Sequence, residues 1–542
     1  MGIPAYFSHI IKNHASIIKK IELHKKPIHN LYLDSNSIIY DAIHKIDFTT
    51  LVESDIDTII RAVCNKIEEY IFQIKPTHSV FIAFDGVAPV AKMAQQRERR
   101  YKSLYTNLVS KSIYKKSKPD AYNTTCITPG THFMNTLNNS IRNHFGCSGS
   151  GSVNARYQVK SIKLSLSDEP GEGEHKIFSF LRDFEELHRD QSTVVYGLDA
   201  DLIMLCLNHL PISNQIYLFR ETPHFLNSDL EPDESYLLDI PELARAIVLE
   251  MNNGVVVEEN TKITRIYDYI FMCFFLGNDF MPHFPSINIR TGGIDKMMNA
   301  YKATLAGTPD VLTDGKRIFW GNVRKLVHQL ATLEETHLKK ESKLRERRSH
   351  QYFPNETPDE KFKKFDILPS YQREIENYID PFKHDWQSRY YKSLFEKPVD
   401  LQSLCMNYLQ GLEWNMKYYT TGCADWRWSY AYNYPPLLAD LMHFIPLFER
   451  ELVPTMPTPN PVSALVQLSY VLPKQSLNLL PEKVCNALLT SKPHWYRTDC
   501  DFAWSYCRYF WEAHVELPSI DIDELETFVV AAEKTTENSE TA

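Results

Sequence analysis

Asp199 and Asp201 stand two residues apart in YGLDADLIMLC (196–206), a run that is otherwise almost wholly apolar. A buried ionised carboxylate is costly unless something positive meets it, so such a pair calls for a counter-ion, a shared proton or access to water. A bound metal is one such answer. Further acids fall at comparable places: Asp34 ends NLYLD, Asp85 follows SVFIAF, Glu172 and Glu174 open PGEGEHKIFSFL, and Asp279 follows the apolar block YIFMCFFLGN. Seven carboxylates, Asp34, Asp85, Glu172, Glu174, Asp199, Asp201 and Asp279, with no Cys or His set at zinc spacing, favour hard cations such as Mg²⁺ or Mn²⁺. Two such ions about 3.5–4 Å apart would activate a water and stabilise the leaving oxygen of a phosphodiester. Taken singly, an acid after a strand is ordinarily a helix cap or a surface group, and PGEGEHK alone reads equally as a capped helix start.

A second group has the opposite sign. AKMAQQRERRYK places Lys92, Gln96, Arg99 and Arg100 at i, i+4, i+7 and i+8, one face of a helix. Arginine offers paired planar donors, lysine a point charge and glutamine a neutral donor, which together suit a phosphate. The bland alternative is a solvated charged helix. In WNMKYYTTGCADWRWSYAYNYPP (414–436) tryptophans and tyrosines crowd around turn residues; most read as core, and a few could stack on bases.

The elements that must position these groups read as α/β. Short runs rich in Val, Ile, Phe and Tyr, separated by helical pattern, predict a mostly parallel sheet, and ligands bind beyond the carboxyl ends of such strands. A Gly/Ser-rich hinge is expected at 146–153 and an exposed charged helix running into a linker at about 336–365. The expected division is a catalytic region over 1–345, a charged linker over 346–365, a second region over 366–533 that completes the pocket, and a disordered tail over 534–542.

Composition bounds the rest. The 542 residues are 43% apolar and 23% charged, enough for a large core. The net charge of −9 argues against gripping nucleic acid by bulk electrostatics and leaves a local pocket open. Ten scattered cysteines without a C-x-x-C pair predict reduced thiols in an intracellular protein. No apolar window is long enough for a membrane span, and Tyr6 stands where a myristoylation motif on Gly2 needs Ser or Thr.

The motifs MGIPAYF, LYLDSNSIIY, AFDGVAPVAKMAQQRERRY, CITPGTHFM, PGEGEHKI, YGLDADLIML and FLGNDFMPHFP resemble, in order, the first region of the XRN 5′→3′ exoribonucleases. YLQGLEWNMKYYTTGCADWRWSYAYNYPPLLADL, LLPEKV and FWEAHVELPSID are similar to the second. This resemblance implies a PIN/FEN-like nuclease domain, with a central mostly parallel sheet flanked by helices, and a mainly helical second region packed against it. It further implies a catalytic two-cation site on the seven acids, with Mg²⁺ as cofactor and Mn²⁺ as substitute. Lys92, Gln96, Arg99 and Arg100 are implied to bind the 5′-monophosphate of single-stranded RNA, which is cut processively to mononucleotides.

The resemblance departs at one position. Where the family's motif carries a histidine that stacks on the first base, this chain has Tyr40, which can stack but cannot take up a positive charge near neutral pH. The tryptophan opposite it is expected to be Trp426, with Trp428 as the alternative. The chain is expected to be a minimal form, of the kind large DNA viruses carry, without C-terminal modules. It is expected to be a cytoplasmic monomer, in a host cytoplasm if viral, and to act in mRNA decay. Nuclear import by LKKESKLRERR is the alternative location, and no decapping partner is implied. Two other readings remain: a 5′ DNA flap nuclease, whose helix-hairpin-helix FPSINIRTGGIDKMM matches poorly, and a non-catalytic RNA-binding scaffold, which gains nothing from acids facing phosphates.

Overall fold

The short β-branched and aromatic runs are strands of one sheet. In the computed structural model, which describes residues 2–21, 26–46, 55–115, 122–146, 152–221, 235–395 and 398–540, they are β1 (Ile18–Lys20), β2 (Asn30–Asp34), β3 (Ser79–Ala83), β4 (Ser161–Ser165), β5 (Ser192–Tyr196), β6 (Gln215–Glu221) and β7 (Ser235–Asp239). Their spatial order is β1-β7-β6-β5-β2-β3-β4. The five from β6 to β4 run parallel, while β7 and β1 pair antiparallel at one edge.

Both faces of the central strands are buried, as parallel sheets require. Leu31 and Leu33 join Val80, Ile82 and Val194 in one core, whereas Tyr32 turns to the other with Phe81 and Val195. The chain passes from β2 to β3 and β4, then returns to place β5 on the far side of β2. That reversal opens a crevice at the carboxyl ends of β2 and β5, where Asp34 and Asp199 lie.

Beyond the sheet the chain is mainly helical, with one small ribbon of β8 (Asp501–Ala503) and β9 (His514–Glu516). Val466, Leu468, Val484, Leu525 and Val529 pack on Val90 and Met93, so this second region grips the start of the basic helix Val90–Tyr114. Among the described residues the nine cysteines are all unpaired, and no helix is long and apolar enough to cross a membrane.

The stretch expected to be an exposed helix and linker differs in part. Helix Trp320–Ser349 buries Glu334, Leu338, Glu341 and Arg345, a stripe in which partners meet the charges of Glu334 and Arg345. Arg345 pairs with Glu376 at 2.6 Å, and Glu334 accepts from the Leu438 and Ala439 amides. A second helix, Pro358–Asp366, starts at a capping box on Thr357 and Glu360. Helix Ile522–Glu540 runs through most of the expected tail. Residues 541–542 and most of the expected 146–153 hinge lie outside the described residues.

Candidate active site

The crevice is built from strand ends and one helix start. Asp34 closes β2, Asp85 lies two residues past β3, and Asp199 lies three past β5, followed by Asp201 at the first position of helix Asp201–Asn208. Glu172 is the N-cap of helix Gly173–Asp183 and Glu174 sits in its first turn, where the helix dipole favours negative charge. The amide of Gly173 donates to Asp85 Oδ1 at 2.7 Å, and Asn36 Nδ2 donates to Asp85 Oδ2 at 2.6 Å. Neutral donors thus fix the orientation of this carboxylate.

Asp34, Asp85, Glu172, Glu174 and Asp199 line one cavity of about 700 Å³ together with Lys92, Gln96, Arg99 and Arg100. Tyr40 is also in its wall. The other two acids lie just behind. Asp279 Oδ2 is 2.9 Å from Lys92 Nζ, whose other acidic neighbour is Glu172 Oε2 at 2.6 Å. Asp201 is buried against Gly2, which turns at φ +55° and approaches so closely that any side chain there would overlap the carboxylate.

So many buried carboxylates resist ionisation. Burial, and then repulsion from Asp85, Asp199 and Glu172, pushes Asp34 well above the usual carboxylate range. Burial and Glu172 do the same to Glu174, and burial with Asp279 pushes Asp201 up to about 7. Burial raises Asp279 too, but the Lys92 ammonium outweighs it and holds that group below the ordinary value. Lys92 pairs with Glu172 and Asp279, and Asp201 Oδ1 is buried with no hydrogen-bond donor. A site of hard oxygen donors that carries an orphaned oxygen fits divalent cations.

In the same cavity Arg100 is held by Thr128, Nη2 to Oγ1 at 2.5 Å, while its Nη1 has no partner. Burial and neighbouring Arg99 lower the Arg100 guanidinium to about 10, so it stays charged at neutral pH. Arg97, on another face of the same helix, instead ties the helix to the Pro518 and Trp495 carbonyls.

The stacking pair expected of Tyr40 with Trp426 or Trp428 is not brought together. Trp426 is anchored by its carbonyl to the Val90 amide, and its ring lines a separate cavity of about 280 Å³ with His175 and Tyr418. Trp428 stacks on Trp414, centroids 5.1 Å apart, which absorbs its face. Residues that spacing did not single out are Asn36, Thr128, His175 and Tyr418, whose hydroxyl donates to Glu172 Oε1 at 2.7 Å. All four lie inside the family's motifs, but Tyr418 is 246 residues from Glu172, a pairing that local spacing does not carry.

Residues 1–222 match the family model described as XRN 5′-3′ exonuclease N-terminus, and residues 260–377 and 356–542 match that described as Xrn1 helical domain. The chain belongs to the XRN family. Its α/β half is therefore a PIN-like domain, and XRN nucleases depend on divalent metal. This XRN chain is 27% identical to the 5′-3′ exoribonuclease 2 homolog of Drosophila melanogaster, over 96% of itself and 70% of that relative. It is 26% identical to the 5′-3′ exoribonuclease 2 of Arabidopsis thaliana, over its whole length and 68% of the relative's. With human 5′-3′ exoribonuclease 1 it shares 29% identity over 96% of itself, but spans only 33% of that protein.

Proposed function

We propose that this XRN chain is a 5′→3′ exoribonuclease that uses two Mg²⁺ ions to degrade single-stranded RNA bearing a 5′-monophosphate. The observation that carries the reading is one cavity lined by five acids together with Lys92, Gln96, Arg99 and Arg100. A terminal phosphate clamped by the four basic-helix groups sets the first internucleotide bond against the acids. The bound ions would supply a polarised water and neutralise the leaving oxygen. Arg100 grips with a guanidinium held in place by Thr128, while Tyr40 offers its ring to the first base.

Cleavage forms one bond from water to phosphorus and breaks the bond to the 3′ oxygen of the first nucleotide. A nucleoside 5′-monophosphate leaves, and the shortened strand again carries a 5′-phosphate. Each cut therefore regenerates the end that the basic helix recognises, which favours processive decay.

The test is decay of matched RNAs with monophosphate, triphosphate, hydroxyl or capped 5′ ends, with Mg²⁺ and then with chelator, beside a 5′-flap DNA. The expected result is Mg²⁺-dependent release of mononucleotides from the monophosphate RNA alone, abolished by Asp199→Ala with Asp201→Ala. Undiminished decay by that double variant, or preferential cutting of the DNA flap, would overturn the reading.

A further inference from the structure

His175 follows Glu174 in the first turn of helix Gly173–Asp183, and nothing above gives it a task. Its side chain is 10% exposed and Nδ1 has no hydrogen-bond partner. A buried ring nitrogen left without a partner is costly, and native structures rarely carry one without a reason. Its surroundings supply one.

His175 Nε2 lies 3.9 Å from Glu174 Oε1. One ligand atom each from Glu172, Glu174 and His175 falls within 4.8 Å of the others, a spread that a single ion can draw together. The ring is held flat against Tyr418, centroids 3.6 Å apart and 27° between planes. The same tyrosine donates its hydroxyl to Glu172 Oε1. One side chain thus orients both the carboxylate and the imidazole, as the groups around metal ligands commonly do. His175 faces the smaller cavity, whereas Glu172 and Glu174 face the larger one, so an ion among the three sits at the rear of the acid cluster.

We propose that His175 supplies a ring nitrogen to a divalent ion shared with Glu172 and Glu174. This rests on the acids holding cations at all, and it changes which cation the rear position prefers. Carboxylate oxygens alone suit Mg²⁺ and Mn²⁺ alike, while one imidazole adds affinity for transition ions, least for Mn²⁺ and more for Co²⁺, and so separates Mn²⁺ from Mg²⁺.

The experiment is pulsed electron paramagnetic resonance of the full chain loaded with less than one equivalent of Mn²⁺. Nitrogen-14 modulation of the Mn²⁺ echo is expected, replaced by nitrogen-15 modulation when the protein carries [¹⁵N]histidine. In His175→Gln, or in His175→Asn if the first does not fold, the modulation should vanish. Calorimetry should show Mn²⁺ affinity about tenfold lower while Mg²⁺ affinity stays within twofold. Mn²⁺ bound without nitrogen modulation, or modulation that persists in the variants, overturns the assignment and leaves the exoribonuclease reading standing. Absence of any Mn²⁺ binding overturns both.

Discussion

Lys92 Nζ bridges Glu172 Oε2 and Asp279 Oδ2, at 2.6 and 2.9 Å, with only 8% of the residue exposed. The residue expected to hold the RNA's phosphate is thus also the counter-ion of two acids expected to hold metal. Removing it takes the bridging ammonium away from two buried carboxylates, a loss of about 3 kcal/mol by analogy with broken buried ion pairs. Lys92→Met is expected to lower metal-free stability by roughly that much in urea unfolding, and saturating Mg²⁺ to recover most of it. A metal-free variant as stable as the parent protein would contradict this coupling.

Proton and metal compete for the same oxygens. Asp201, pushed by burial and Asp279 to about 7 from an ordinary 3.8, keeps a proton in the folded chain over a window where the unfolded chain has lost it. Metal-free stability therefore falls as pH rises from about 4 to 7 and levels above that. Divalent ions need the deprotonated form, so the melting-temperature gain from Mg²⁺ should grow from pH 5.5 to pH 8. Differential scanning fluorimetry reads this directly, and an equal gain at both pH values would refute it.

Arg100 differs from its neighbours in having one guanidinium nitrogen fixed by Thr128 and another free of protein partners. A charged hydrogen bond of this kind contributes about 1.5–3 kcal/mol, on the order of 10- to 100-fold in affinity. Arg100→Ala should lose that factor on 5′-phosphorylated RNA and little on 5′-hydroxyl RNA. Equal loss on both ends would remove Arg100 from the phosphate site.

Much of this arrangement is legible in the chain because local pattern carries it. Buried strands that end in acids announce both sheet and crevice, and the i, i+4, i+7, i+8 spacing puts four donors on one helix face. What spacing does not carry is tertiary. Tyr418 reaches Glu172 only because the second region folds back over the helix start. The pair Glu334 and Arg345 looks solvated in sequence, since their partners Leu438, Ala439 and Glu376 lie far along the chain. Trp426 and Trp428 were similarly open: composition marks an aromatic cluster, but packing decides which ring is free.

Tyr40 remains the one expected stacking residue in the wall of the main cavity. Stacking on a base contributes about 1–3 kcal/mol, so Tyr40→Ala should raise KM for RNA roughly tenfold, while Tyr40→Phe keeps it. Trp428→Phe, in a ring already stacked on Trp414, should leave KM unchanged. A Tyr40→Ala protein with the parent's KM would show that this wall does not touch the base.

Gly173 sets how tightly the acid cluster closes. A Cβ there would meet Asp34 Oδ1 at 2.6 Å and Asp85 Oδ1 at 3.5 Å, with the Ala83 carbonyl also 3.5 Å away. Either the Asp34 carboxylate turns out of the cluster or the helix start moves, and that start carries Glu172, Glu174 and the amide that holds Asp85. Displacing a catalytic group by about 1 Å costs on the order of 10²-fold in rate. Gly173→Ala is therefore expected to lose about that factor in kcat and to bind Mg²⁺ more weakly by calorimetry, while 5′-phosphate RNA still binds through the untouched basic helix. Unchanged metal affinity would mean that the acids do not depend on the close approach of this helix.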